Sequence, residues 1–343
     1  MTERYYAPSQ FHLHRLEQTT PELAWHGQPV GPWQQALRER LVDLMGGLDD
    51  ERCDPNVEEL EREETEGAVR RKLVFTSTPF ADVPCHLLVP KGITGTVPGV
   101  ICLQGHSTGM HISIGEAQYE GDEASIAGGR DIAIQAAANG YVALAVEQRC
   151  FGERKETLQE QRSNHGCLDA SMHALLLGGT MIGERVWDVM RAIDLLRDQP
   201  EVDPDRIVVM GNSGGGTITF FTAAVDDRVH LPVPSCYFCT FSACLMRIYH
   251  CTDNYIPGIL KVADMGDIAG LFAPRPVIFV AGEEDPIFPI AGVREAFDRA
   301  QAIYAAAGCA DRCRLIVGPA GHQFYPDLAW PEIRAVLEAP GAP

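Results

Sequence analysis

Between Arg206 and Thr217 the chain reads R-I-V-V-M-G-N-S-G-G-G-T, and this stretch limits the fold more than any other. Ile207, Val208, Val209 and Met210 form an apolar run suited to a strand buried on both faces. A tight turn follows at Gly211-Asn212-Ser213-Gly214-Gly215, and then a helix-compatible run from Thr217 to Val225. The G-x-S-x-G pattern therefore stands between a strand and a helix, where a serine is projected from a strained corner. Small neighbours let the backbone fold that tightly. The helix beginning just after the serine aims N–H groups and its positive end at charge developing nearby.

A chain of 343 residues can bury a large core, as one large α/β domain or two smaller ones. Its 45% hydrophobic and 22% charged residues are ordinary for a globular protein. A net charge of −19 argues against nucleic acid and anionic membrane as partners, since both call for basic patches. Much of that charge is local: Asp49 to Glu66 carries ten acidic residues against two basic ones, which suggests a solvated helix face or loop. Met1-Thr2-Glu3-Arg4 leads into no apolar signal-peptide core, and no run of 18 apolar residues suggests a membrane span. Eleven cysteines, an odd number spread through the predicted elements, suit free thiols in a reducing cytoplasm. Cys236-x-x-Cys239, with Cys244 and Cys251 beyond, invites a zinc or redox reading. The first pair falls in an expected core strand, however, where cysteine serves as a small hydrophobe.

Residues 1–68 lack the strand–helix rhythm of the remaining chain. Trp33, Leu37, Leu41, Leu44 and Met45 fall at helical spacing, and Gly46-Gly47 stops that helix. This part is expected to be a helical extension packed on the main domain or on another subunit of a homo-oligomer. From Arg70 onward strands are expected at Lys72 to Thr76, Val83 to Val89, Val97 to Leu103 and Tyr141 to Val146. Beyond the serine turn come Val233 to Thr240, Pro276 to Ala281 and Arg314 to Val317. Helices are expected at Asp131 to Asn139, Glu184 to Gln199, Val293 to Ala307 and Pro331 to Leu337. Two irregular segments, 147–180 and 241–271, stand where caps over the sheet would lie. Alternation of this kind implies a mostly parallel sheet with helices on both faces, within a catalytic domain spanning 69–343.

In such a sheet, functional residues gather at the carboxyl ends of the strands. Gly282-Glu283-Glu284-Asp285-Pro286 follows one strand, and Gly318-Pro319-Ala320-Gly321-His322-Gln323 follows another. The order Ser213, Asp285, His322 is the one this architecture requires of a nucleophile, an acid and a base. A serine hydroxyl is a poor nucleophile until a base takes its proton, and a carboxylate must fix the imidazole tautomer. Glu283 and Glu284 are rival acids; Asp285, deeper in the loop, reaches better toward His322. An oxyanion hole is expected from the N–H of Gly214 and that of His106 in the Gln104-Gly105-His106-Ser107 loop. A metal shared by His106 and His111 is not expected, because no carboxylate lies beside them in the sequence.

The ordered set Gly105-His106, Gly211-Asn212-Ser213-Gly214-Gly215, Asp285 and His322 resembles the α/β-hydrolase superfamily. Glu147-Gln148-Arg149-Cys150-Phe151-Gly152 is similar to the D-x-R-G-x-G stretch of its acetyl-xylan-esterase-like and dienelactone-hydrolase-like branch. So is Gly183-Glu184-Arg185-Val186-Trp187-Asp188, ahead of the elbow strand. The resemblance covers roughly residues 70–338. It implies the α/β-hydrolase fold, with about eight strands, and hydrolysis of a small-molecule carboxylic ester through an acyl-enzyme without cofactor or metal. Glu147 and Cys150 stand where the branch usually has Asp and Gly, and its dienelactone hydrolases proper resemble cysteine enzymes. A short acyl or acetyl ester, including one of a sugar, is therefore the expected substrate. A peptidase related to the prolyl oligopeptidases would need a propeller for which no segment is long enough. A binding protein retaining the fold would ordinarily have lost a triad member. Arg149, His250 and Tyr255, in the two long loops, are expected to line the acyl or alcohol pocket.

Overall fold

Nine strands form one sheet among residues 4, 6–48, 52–156 and 166–339, which the computed structural model describes. In chain order these are β1 (Glu58–Glu64), β2 (Ala68–Thr78), β3 (Ala81–Pro90), β4 (Val97–Leu103), β5 (Val142–Val146), β6 (Val202–Asn212), β7 (Val229–Ser235), β8 (Val277–Gly282) and β9 (Cys313–Gly318). Their spatial order is β1-β2-β3-β5-β4-β6-β7-β8-β9. The pairings from β1 to β5 are antiparallel, and those from β5 to β9 are parallel. The α-helices are α1 (Pro8–Glu17), α2 (Val30–Met45), α3 (Asp122–Ser125), α4 (Ile132–Ala138), α5 (Cys167–Leu176), α6 (Met181–Arg197), α7 (Gly214–Val225), α8 (Met265–Ala269), α9 (Ile290–Ala306) and α10 (Pro326–Leu337).

Period-two alternation divides the apolar residues of the central strands between two cores. Ile101 and Leu103 of β4, Leu144 and Val146 of β5, and Ile207 and Val209 of β6 join the core covered by α2, α6, α7 and α9. Their neighbours Val100, Cys102, Ala143, Ala145, Val208 and Met210 face the other core, beneath α4 and α10. Strands buried on both faces read as continuous apolar runs, which is why they are visible in the sequence.

Two expectations are corrected. The part expected to be a helical extension contains β1, and the acidic run expected as a solvated helix face or loop contributes this fully exposed strand. Cross-strand ion pairs favour the pairing: Glu63 bonds Arg70 and Glu59 bonds Arg71 of β2, each at 2.6 Å. The strand expected at Val233 to Thr240 ends at Ser235, because Cys236 turns off the sheet at φ +48°. The sheet, with nine strands, bears out the expectation of a mostly parallel sheet of about eight. Trp33, Leu37, Leu41 and Met45 of α2 lie in the main core, so the extension packs on the same chain. Of the expected cap at 147–180, residues 157–165 lie outside the described residues; the remainder includes α5.

One buried carboxyl lies just past β5. Burial pushes Glu147 up to about 7, against the pull of N–H bonds from Met110 and Glu153. A carboxyl raised this way gives a stability contribution fully present below its unfolded value, about 4.5, and lost as pH rises through about 7. Between pH 5 and 9, the stability of Glu147→Gln relative to wild type should therefore improve by about 2–3 kcal/mol. Chemical denaturation of both proteins across that range checks this, and a difference that stays constant with pH would refute it.

Candidate active site

The turn after β6 holds Ser213 at φ +58° and ψ −119°, a conformation that a residue with a Cβ adopts only under constraint. The constraint comes from close backbone packing. A Cβ on Gly215 would stand 2.1 Å from the carbonyl oxygen of Leu103, and one on Gly211 would stand 2.6 Å from the carbonyl carbon of Gly215. The backbone N–H of Ser213 bonds the carbonyl of Ser235 on β7 at 2.8 Å. Ser213 thus sits half-exposed at the amino end of α7 and at the carboxyl edge of the sheet.

The loops after β8 and β9 bring Asp285 and His322 together, with Nδ1 of His322 2.7 Å from Oδ2 of Asp285. The other carboxylate oxygen accepts the N–H groups of Ile287 and Phe288, at 2.8 and 3.1 Å. Burial works against the charge of Asp285, but His322 and these N–H groups outweigh it and hold its pKa below the ordinary carboxylate value. An ionised Asp285 favours the tautomer with the proton on Nδ1, leaving Nε2 as the basic nitrogen. Phe288 stacks on the His322 ring at 5.9 Å and fixes its plane. The rival acid Glu283 instead bonds Arg294 at the surface.

Gly105 lies directly against the turn: a Cβ there would stand 2.6 Å from the Asn212 carbonyl oxygen and 2.9 Å from the Ser213 Cβ. His106 Nδ1 comes within 3.1 Å of the place a Cβ on Gly214 would take. The two segments expected to form the oxyanion hole are therefore adjacent. The carboxylate absent from the local sequence comes from 147 residues away: Asp253 accepts His106 Nε2 at 3.1 Å. Asp253 is buried and also bonds Arg185 Nη1 at 2.6 Å, and its pKa is held well below the carboxylate range by Arg185 and His106 against the effect of burial. Burial alone would lower His106, but the Asp253 carboxylate wins and raises it to about 9. An imidazolium thus stands beside the turn at neutral pH.

The three expected pocket residues fall in different surroundings. His250 is buried, and the edge of its ring meets Phe288 at 5.2 Å. Its Nε2 has no hydrogen-bond partner among the described residues. Burial and the nearby His322 and His106 lower it to about 4, so it is a neutral imidazole near both acid–histidine pairs. The Arg149 guanidinium is held by Asp188 at 2.8 and 3.1 Å and by Glu184 at 2.7 Å. Its carbonyl accepts two bonds from Arg185. Tyr255 lines an apolar groove of about 520 Å³ with Phe11, Leu16, Phe221, Leu245 and Ile256. Sequence reasoning misses Arg185, Asp253 and Phe288 as site residues. Arg185 lies in a motif quoted above, whereas Asp253 and Phe288 carry no sequence signal of their roles.

The thiols of Cys236 and Cys239 donate to different carbonyls, those of Gln323 and Pro289. All eleven cysteines are free. No helix among the described residues is long and apolar enough to cross a membrane.

The abhydrolase family model matches residues 15–304, a span that takes in most of the N-terminal part and ends before His322. YtaP of Bacillus subtilis (strain 168), provisionally named a hydrolase, is 28% identical over 299 residues, covering 83% of this chain and 92% of that protein. A crystal structure from Bacteroides fragilis NCTC 9343, provisionally named an acetyl xylan esterase, superposes with a TM-score of 0.81 at 21% identity. It covers 97% of this chain and 96% of its own. A glucuronoyl esterase from Solibacter usitatus superposes with a TM-score of 0.66 at 15% identity, over 93% and 96% of the two chains. At these identities the two structures establish the fold.

Proposed function

The chain belongs to the abhydrolase family, and we propose that within it this protein is a serine esterase acting on a short acyl or acetyl ester, including esters of sugars. The observation carrying this reading is Ser213, strained at φ +58° at the edge of the sheet that also presents the 2.7 Å Asp285–His322 pair. His322 takes the hydroxyl proton as Ser213 Oγ attacks the ester carbonyl. The N–H groups of Gly214 and His106 hold the oxyanion of the tetrahedral intermediate, and the imidazolium of His106 adds positive charge beside it. His322 then gives its proton to the leaving alcohol, and water, activated by the same imidazole, releases the acid. The scheme needs no cofactor. The names of the two structural neighbours support a carbohydrate ester as substrate. Eleven free thiols support a cytoplasmic setting.

A fluorophosphonate probe should label Ser213, and a panel of acyl esters of increasing chain length, with acetylated sugars included, should show turnover favouring the shortest acyl groups. Absence of both labelling and p-nitrophenyl acetate turnover would overturn the reading.

His250 is proposed to meet a substrate oxygen through its unpartnered Nε2, while Arg149 supports the site by fixing Arg185. His250→Phe keeps the ring packing on Phe288 and removes the nitrogen. It should lower kcat/KM for sugar esters about 10-fold, with thermal stability unchanged or raised. Unaltered kinetics would remove His250 from the substrate's surroundings.

A further inference from the structure

Beside the oxyanion loop, the chain gathers four metal-ligating side chains of which no single stretch gives a sign. His106 follows β4, Cys167 is the first residue of α5, and Cys251 and Asp253 lie in the segment between β7 and β8. One ligand atom from each stands within 4.8 Å of the others. Two sulfurs, an imidazole nitrogen and a carboxylate oxygen form the tetrahedral donor set that zinc-class ions take. Ligand atoms on such an ion lie roughly 3.3–3.8 Å apart, given metal–ligand bonds of about 2.0–2.3 Å. The cluster therefore has to contract by at most about 1.0–1.5 Å on any edge. Cys167 and Asp253 are buried, and the other two are half-buried, which leaves a route from solvent.

The surroundings fit an ion as well. Arg185 bonds Asp253 at 2.6 Å and reaches the Cys167 sulfur at 3.7 Å, so it orients two of the four ligands from behind. Two thiolates and the Asp253 carboxylate carry three negative charges; a divalent ion and Arg185 carry three positive ones. We propose that His106, Cys167, Cys251 and Asp253 form a binding site for a zinc-class divalent ion, and that its occupancy slows ester hydrolysis.

The inhibitory half rests on the esterase reading. Binding releases the thiol protons to solvent and takes His106 as a neutral imidazole ligand. The ion ties the His106 imidazole to Cys167 and Cys251, drawing it from its place over Gly214 and with it the backbone N–H that the esterase reading assigns to the oxyanion.

The test uses reduced, tag-free full-length protein and two probes. Cadmium should produce the ultraviolet charge-transfer absorption of cadmium–thiolate bonds at one equivalent. Cys167→Ser and Cys251→Ser should each weaken that band and the apparent affinity by at least tenfold. Zinc should lower wild-type esterase activity about 10- to 100-fold, reversibly on chelation, and each serine variant should lose most of that sensitivity, whatever its own rate. No band at millimolar cadmium, or a band unchanged in both variants, overturns the site. A cysteine-dependent band with unaltered activity overturns the inhibition. A metal-free protein without any esterase activity overturns the functional reading instead, and the cadmium titration still decides the site.

Discussion

Ser213→Ala should lower ester hydrolysis on the order of 10⁵- to 10⁶-fold while leaving the fold in place. The strained turn is held by the backbone contacts of Gly211 and Gly215 and by the bond from the Ser213 N–H to Ser235, none of which involves the hydroxyl. In the proposed reaction, what the substitution removes is the attacking atom. The proposed oxyanion donors, His106 among them, survive it, so the variant should still exceed the uncatalysed rate by about 10³-fold. His322→Ala should fall nearly as far, and the double variant little further, because the groups act as one unit. Rate measurements on purified variants, with circular dichroism as the control for folding, check this. Activity in Ser213→Ala within tenfold of wild type would move the nucleophile elsewhere, with Ser107 as the first suspect.

Arg185→Met should be the most damaging substitution for stability. The Arg185 guanidinium is fully buried, with one face against the Phe151 ring at 4.6 Å and with bonds to Asp253 and the Arg149 carbonyl. Methionine keeps much of the volume but leaves the buried Asp253 carboxylate with His106 and the Asn254 amide alone to offset its charge. Breaking a buried pair from one side costs about 3–5 kcal/mol. For a chain of this size that is about 4–7 °C in Tm. Asp253→Asn in the Met background removes the uncompensated charge and should recover part of the loss. A cost below about 1 kcal/mol, or no recovery in the double variant, would show that the network does not carry the stability assigned to it.

The parts of this site that the sequence discloses are those bound to local pattern. Ser213 is legible because the glycines at 211 and 215 are required by backbone approach, and the strand before it is apolar on both faces. Asp285 and His322 are legible because parallel strands place their succeeding loops at one edge. The partner of His106 is not legible. Asp253 sits in an irregular segment, and its pairing with His106 and Arg185 depends on how that segment folds over the sheet. Chain order says nothing of such contacts. The strand β1 is hidden for a different reason. Glutamate-rich sequence disfavours strand by propensity, and only the arginines opposite on β2 reverse the balance.

That strand has a bearing on solubility. A nine-stranded sheet ends in an open row of N–H and C=O groups to which another molecule could add. Here the outermost position on the β1 side is taken by Glu58–Glu64, with five carboxylates and every residue exposed. Two copies approaching edge to edge would bring those carboxylates together, and the repulsion discourages runaway strand addition. Acid conditions that neutralise glutamate would lift the guard, so this side is where self-association is most expected to begin as pH falls.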